Sequence, residues 1–198
     1  SNVIGEIQGK DLAGEIVMVG AHFDSWHEAA GASDNASGCA VALEAARILK
    51  AIGVKPRRTI RVAFWGGEEQ GLHGSREYVN AHFGNPKEPK IGVKPDYEKF
   101  SAYFNQDYGA GQFRGIYLQG NDGARRLFMA WMEPCHDFGM TALSIQSVGS
   151  TDHVSFDAAG LPGFQFIQDR IGGTAGHTNL DFYDTLRAED LMKNSVVE

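Results

Sequence analysis

Cysteine is nearly absent: Cys39 and Cys135 are the only two in 198 residues. That excludes a disulfide framework, and without any C-x-x-C spacing it excludes a thiolate zinc site as well. Both cysteines fall in stretches with helical periodicity and are expected in the core, so cysteine use leaves the redox compartment open. No stretch approaches the roughly 18 apolar residues of a membrane span, and no basic segment leads into an apolar one as in an export signal. Positive charge is also short. Eighteen Lys and Arg against 25 Asp and Glu give a formal net charge of -7. The one basic cluster, Lys55-Pro56-Arg57-Arg58, reads as a solvated turn, so a nucleic-acid partner is not expected.

What is present describes an ordinary folded domain. Hydrophobic residues make up 42% and charged residues 22%, which excludes wholesale disorder. The length suits a single domain, residues 1–198, with room for a central core. Its opening residues lead at once into a strand-like stretch, and residues 187–197 read as a helix still in progress. The expectation is a catalytic domain excised from a longer protein, one that carries its own export signal and is secreted or periplasmic.

Along the chain, short β-branched runs alternate with helical periodicity. Strands are expected at Glu15 to Ala21, Arg58 to Trp65, Ser101 to Gln106, Phe113 to Leu118 (at a sheet edge) and Gly163 to Gln168. Helices are expected at Ala36 to Gly53, Leu72 to Phe83, Asp122 to Phe138 and Asp152 to Ala159. Gly84 to Pro95, with three of the six prolines, reads as a surface loop. This alternation implies an α/β fold: a three-layer α/β/α sandwich around a mostly parallel, mixed sheet.

Five residues of metal-ligand type, His22, Asp34, Glu69, Asp107 and His177, are spread through that pattern. Four of them fall just beyond strand ends, where α/β sheets gather their chemistry. Two imidazoles and three carboxylates suit a pair of divalent metals. Asp24, two residues past His22 on extended backbone, can take the second N–H of a ligating imidazole. Asp34 reads either as a helix N-cap or as a carboxylate bridging two metals among small neighbours. Trp65-Gly66-Gly67-Glu68-Glu69-Gln70-Gly71-Leu72-His73-Gly74-Ser75 is the most specific segment. Adjacent acids among four glycines after a buried strand suit one metal ligand and one proton carrier, Glu68, although an acid-rich helix start is the plainer alternative. Asp152-His153 reads either as substrate-facing or as a capping aspartate beside a surface histidine. His27, His73, His82 and His136 are expected to be structural or solvated.

At these positions the chain resembles the co-catalytic di-zinc exopeptidase family over nearly its whole length. The resemblance rests on His22-Phe23-Asp24-Ser25-Trp26, Ser33-Asp34-Asn35, Gly67-Glu68-Glu69-Gln70-Gly71, Asp107, Ser150-Thr151-Asp152-His153 with Gly160-Leu161-Pro162, and His177-Thr178. Asp24-Ser25-Trp26 and Pro56-Arg57-Arg58-Thr59-Ile60-Arg61 lean towards the carboxypeptidase Q branch. The resemblance implies two zinc ions, one held by His22 and Asp107, the other by Glu69 and His177, with Asp34 between them and a cis peptide between Asp34 and Asn35. It implies metal-assisted hydrolysis of small peptides near a terminus, with Glu68 as general base. Gly176 stands where the family often carries Tyr, leaving the oxyanion helper to His153 or another residue. An aminopeptidase or dipeptidase is expected. The alternatives are a glutamate-carboxypeptidase-type enzyme, a one-zinc glutaminyl cyclase, and a non-catalytic receptor-like domain. A terminal carboxylate would call for an arginine clamp, and no cluster of arginines is visible. A further domain or a dimer partner is expected in the full-length protein.

Overall fold

The computed structural model describes residues 1–171 and 175–198. The strands are β1 (Val3–Ile7), β2 (Leu12–His22), β3 (Arg58–Trp65), β4 (Gly84–Asn85), β5 (Gly92–Val93), β6 (Phe100–Asn105), β7 (Phe113–Tyr117), β8 (Ala142–Ser144) and β9 (Gly163–Gln168). The α-helices are α1 (Ser37–Ala51), α2 (His73–His82), α3 (Arg125–Met132), α4 (His153–Ala158) and α5 (Ala188–Val197). Seven strands form one sheet in the order β1-β3-β2-β6-β9-β7-β8. Its centre, β3-β2-β6-β9, is parallel. At the flanks, β1 runs antiparallel to β3, and β7 antiparallel to β9.

The central strands are apolar on both faces, as strands covered on both sides must be. On one face Ile16, Met18, Ala63, Trp65 and Tyr103 pack with Tyr78, Val79 and Phe83 around α2 and with Phe156 of α4. On the other, Phe164, Phe166 and Ile116 meet Val41 of α1, Phe128 and Met132 of α3, and Leu191 and Val197 of α5. The three-layer sandwich and the mixed sheet follow directly. The helices after β2 and β3 cover opposite faces, so their strand ends open onto a common crevice.

Three sequence expectations change. Phe113–Tyr117 is internal, because the three-residue β8, too short to show a pattern, pairs beyond it. Gly115 permits that pairing, since a Cβ there would lie 1.7 Å from the Ala142 carbonyl oxygen. The helix expected over residues 122–138 is α-helical only from Arg125 to Met132, and continues as a 3-10 turn through Phe138. Pro134, with no N–H to donate, ends the α-helical ladder there. The loop at residues 84–95 holds the small antiparallel β4–β5 pair.

Phe156 is fully buried and stacks on both Phe100 (5.2 Å between centroids) and Tyr103 (4.5 Å). Phe156→Ala is expected to cost about 3–5 kcal/mol of stability, measured by urea unfolding. A loss below about 1 kcal/mol would show that this aromatic layer does not anchor α4 to the sheet.

Candidate metal centre

The acidic and imidazole groups reach the crevice from five separate places in the chain. His22 is the last residue of β2 and is 1% exposed. Glu68 and Glu69 lie on the turn after β3, and Asp107 two residues past β6. Asp34 lies in the segment leading into α1, with a cis peptide to Asn35. His177 comes from the segment after β9, at a positive φ of 63°.

These side chains converge. His22 Nε2 lies 3.0 Å from Asp34 Oδ1 and 3.1 Å from Asp107 Oδ1. His177 Nε2 lies 3.0 Å from Asp34 Oδ2 and 3.1 Å from Glu69 Oε2. The two oxygens of Asp34 are therefore divided between two clusters, His22–Asp34–Asp107 and Asp34–Glu69–His177, each with its ligand atoms mutually within 4.8 Å. Asp34 does not cap α1, whose N-cap position is Ala36. Glu68 is 8% exposed and brings Oε2 to 4.0 Å from His22 Nε2.

The electrostatics describe a site built for positive charge. Burial pushes the Glu68 carboxyl up to about 9, with Asp107 adding to it. Glu69 is raised by burial and by Asp34, and Asp107 by burial against the opposing pull of His22. Burial disfavours charge on His22, but Asp107, Asp24 and Asp34 outweigh it and hold the imidazole protonated. Glu69 Oε1 is buried with no hydrogen-bond partner among the described residues. Divalent cations would satisfy all of these groups at once. The donor set of two imidazoles and three carboxylates is of zinc type, and the 3.0–3.1 Å separations suit neighbouring ligands on one ion.

Surrounding groups hold this array. His22 Nδ1 lies 3.0 Å from the Asp24 backbone oxygen and 3.6 Å from its carboxylate. That carboxylate instead accepts the backbone N–H groups of Glu68 (3.1 Å) and Glu69 (3.3 Å), so Asp24 ties the β2 end to the acidic turn. Below β6 runs a buried chain: Trp65 Nε1–H donates to Tyr103 Oη, the Tyr103 hydroxyl to Asn105, and Asn105 Nδ2 to Thr151. Asp181 is a supporting residue that sequence reasoning did not assign. It is fully buried and accepts from Ser33 N (2.7 Å), Ser33 Oγ (2.6 Å) and Asp34 N (3.0 Å). Nothing in its spacing marks it, because its partners lie 147 and 148 residues away.

The centre opens onto a cavity of about 450 Å³ lined by Trp26, Glu68, Leu72, Tyr108, Ser150 and His177 among others. Asp152 holds the N-cap position of α4 but makes no side-chain cap hydrogen bond, and His153 is buried rather than at the surface; neither residue lines the cavities around the centre. The start of α4 turns inward over β9, so close that a Cβ at Gly163 would meet the His153 carbonyl oxygen at 2.5 Å. The same burial removes His153 as an oxyanion helper. A Cβ at Gly176 would sit 3.5 Å from Asp34 Oδ2, so position 176 faces the centre and glycine leaves that side open. His27, His73, His82 and His136 are exposed, as expected.

Residues 2–196 match the sequence pattern of Peptidase family M28. The chain belongs to that family. It is 30% identical over 168 residues to carboxypeptidase Q of Xenopus laevis, covering 85% of this chain and 33% of that protein. Its structure is similar to that of a peptidase M28 precursor from Shewanella amazonensis, with a TM-score of 0.85 at 32% identity over 99% of this chain and 42% of that one. It is also similar to a zinc aminopeptidase from Bacillus subtilis, with a TM-score of 0.77 at 29% identity over 99% and 48%. The chain thus spans about a third of the length of that carboxypeptidase Q and under half of the two solved M28 chains.

Two predictions follow from the buried groups. Asp181→Asn is expected to weaken zinc binding about 10–100-fold, read by competition with a chromophoric chelator, while the circular dichroism spectrum stays unchanged. Unaltered affinity would show that Asp34 is positioned without Asp181. The second concerns pH. Burial lowers His153 from 6.5 to about 4, so the unfolded chain takes up its proton first and His153 removes stability as pH falls from 6.5 to 4. Burial raises Asp152 from 3.8 to about 7, so it adds stability as pH falls from 7 to 4. The two offset each other, each on the order of 3 kcal/mol. Relative to the parent, Asp152→Asn is expected to lose stability on acidification and His153→Gln to gain it, measured by urea unfolding with chelator present. Parallel curves for all three proteins would refute the offset.

Proposed function

We propose that this chain is the catalytic portion of a zinc-dependent exopeptidase that hydrolyses the peptide bond beside a chain terminus, as an aminopeptidase or dipeptidase. The observation that carries this is the division of Asp34, one oxygen with His22 and Asp107, the other with His177 and Glu69. That arrangement suits two zinc ions per chain, with Asp34 between them. When bound, such a pair supplies Lewis acidity, acidifying water and polarising a carbonyl.

The chain's own residues do the remainder. Glu68 lines the cavity, and its buried carboxylate is a strong base for its type. With cations offsetting its neighbours it takes a proton from the attacking water at Oε2 and returns it to the departing amine. Asp24 holds the Glu68 and Glu69 amides, so the base and its neighbour keep a fixed separation from His22. Trp26, with its ring centroid 5.8 Å from that of His177, and Leu72 form apolar walls that confine the substrate and exclude water. Secretion or a periplasmic setting for the whole protein, together with a further domain or dimer partner, belongs to the same reading; fractionation and light scattering of the full-length protein test both.

Loading the chain with zinc and measuring metal content beside a panel of dipeptides and aminoacyl p-nitroanilides tests the function. Two zincs per chain with turnover are expected, and Glu68→Gln is expected to lower kcat by roughly 10²–10⁴-fold while keeping both metals. One zinc per chain with cyclisation of N-terminal glutamine would instead favour the cyclase, and a loaded chain without turnover would favour a non-catalytic domain.

A further inference from the structure

Beside the main cavity, a second one of about 280 Å³ is lined by Ser33, Asp34, Asp107, Tyr108, Arg170 and His177 among others. It shares three of its walls, Asp34, Asp107 and His177, with the metal centre itself. Carboxylates dominate those walls, and Arg170 is the one permanent cation among the described residues that line either cavity. Its guanidinium carbon lies 5.2 Å over the ring of Tyr108, whose hydroxyl is held neutral by burial and by Tyr117. Stacking of this kind fixes a guanidinium by its face and leaves the N–H donors at its edge free.

No carboxylate pairs with Arg170 among the described residues, whereas the neighbouring Asp169 is engaged with Arg114. An unpaired guanidinium beside an acidic metal centre has one chemical use that its geometry favours: two parallel hydrogen bonds to a planar carboxylate. Adjacency sets which carboxylate. Arg170 lines the same cavity as Asp34, Asp107 and His177. With a scissile carbonyl at the centre, the terminal carboxylate nearest to it is that of the residue on the leaving-group side.

We propose that Arg170, seated on Tyr108, binds the free α-carboxylate of the residue on the leaving-group side, so that the chain prefers free dipeptides over longer or C-terminally blocked peptides. This rests on the exopeptidase reading above and adds to it the specificity-determining residue. A clamp of several arginines is unnecessary, because one guanidinium held by its face on Tyr108 already defines where a carboxylate pairs.

The test pairs turnover with binding. For the zinc-loaded full chain, Arg170→Ala is expected to raise KM for a free dipeptide about 10–100-fold with kcat little changed. It is expected to leave the dipeptide amide and the aminoacyl p-nitroanilide unaffected, and Arg170→Lys is expected to restore part of the loss. Equal losses on free and amidated dipeptides, or a parent chain that hydrolyses both equally well, would overturn the proposal. Calorimetry supplies a readout independent of turnover, using a dipeptide whose scissile carbonyl is replaced by methylene, and its amide. Preference for the acid form that disappears in Arg170→Ala supports the carboxylate site even if no peptide is cleaved, an outcome that would sink the exopeptidase reading alone. Identical binding of acid and amide by the parent would sink the Arg170 site alone.

Discussion

Five carboxylates, from Asp24, Asp34, Glu68, Glu69 and Asp107, crowd around the imidazoles of His22 and His177 in a partly buried crevice. Two like charges about 4 Å apart repel by about 4 kcal/mol at an effective dielectric constant near 20. The raised carboxyls of Glu68, Glu69 and Asp107 are that repulsion combined with burial. Positive charge delivered to both sides of Asp34 relieves it. Most of the structure around the crevice makes sense as the means of holding these groups together against their own repulsion.

The scaffold does this with rigid connections. The parallel centre of the sheet sends His22, the Glu68–Glu69 turn and Asp107 out of one edge. Aromatic packing beneath that edge, through Trp65, Tyr103 and Phe156, keeps the strands in register. Above it, backbone amides are the recurring fastener. Asp24 grips two from the acidic turn and Asp181 two from the Asp34 segment, where Ser33 adds its hydroxyl. Charge-assisted bonds of this type are stronger than neutral ones, and buried ones have no competing water.

Much of this was legible in the residues themselves. β-branched runs marked β2 and β3, and aromatic-rich runs marked β6 and β9, because burial on both faces favours large apolar side chains. Glu68–Glu69 stood out because adjacent acids repel and a helix start would not need so many glycines, and His22 because it closes a buried strand. Other features were invisible for physical reasons. The three residues of β8 carry no period, so β7 passed for an edge. Asp152 and His153 look polar and are buried, a property set by how α4 packs on β9 rather than by local sequence. Asp181 and Arg170 act across more than 60 residues of chain, on Asp34 and Tyr108 respectively, and no local pattern encodes such a pairing.

The wide dispersal of the crevice's acids and imidazoles along the chain has a consequence for biosynthesis. They span from His22 to His177, and Asp181, which steadies Asp34, comes later still. A nascent polypeptide that has not yet reached His177 and Asp181 carries the acids of the crevice but not the contacts that place Asp34. The crevice is therefore completed only once the segment from His177 to Asp181 has been made and has docked against Asp34.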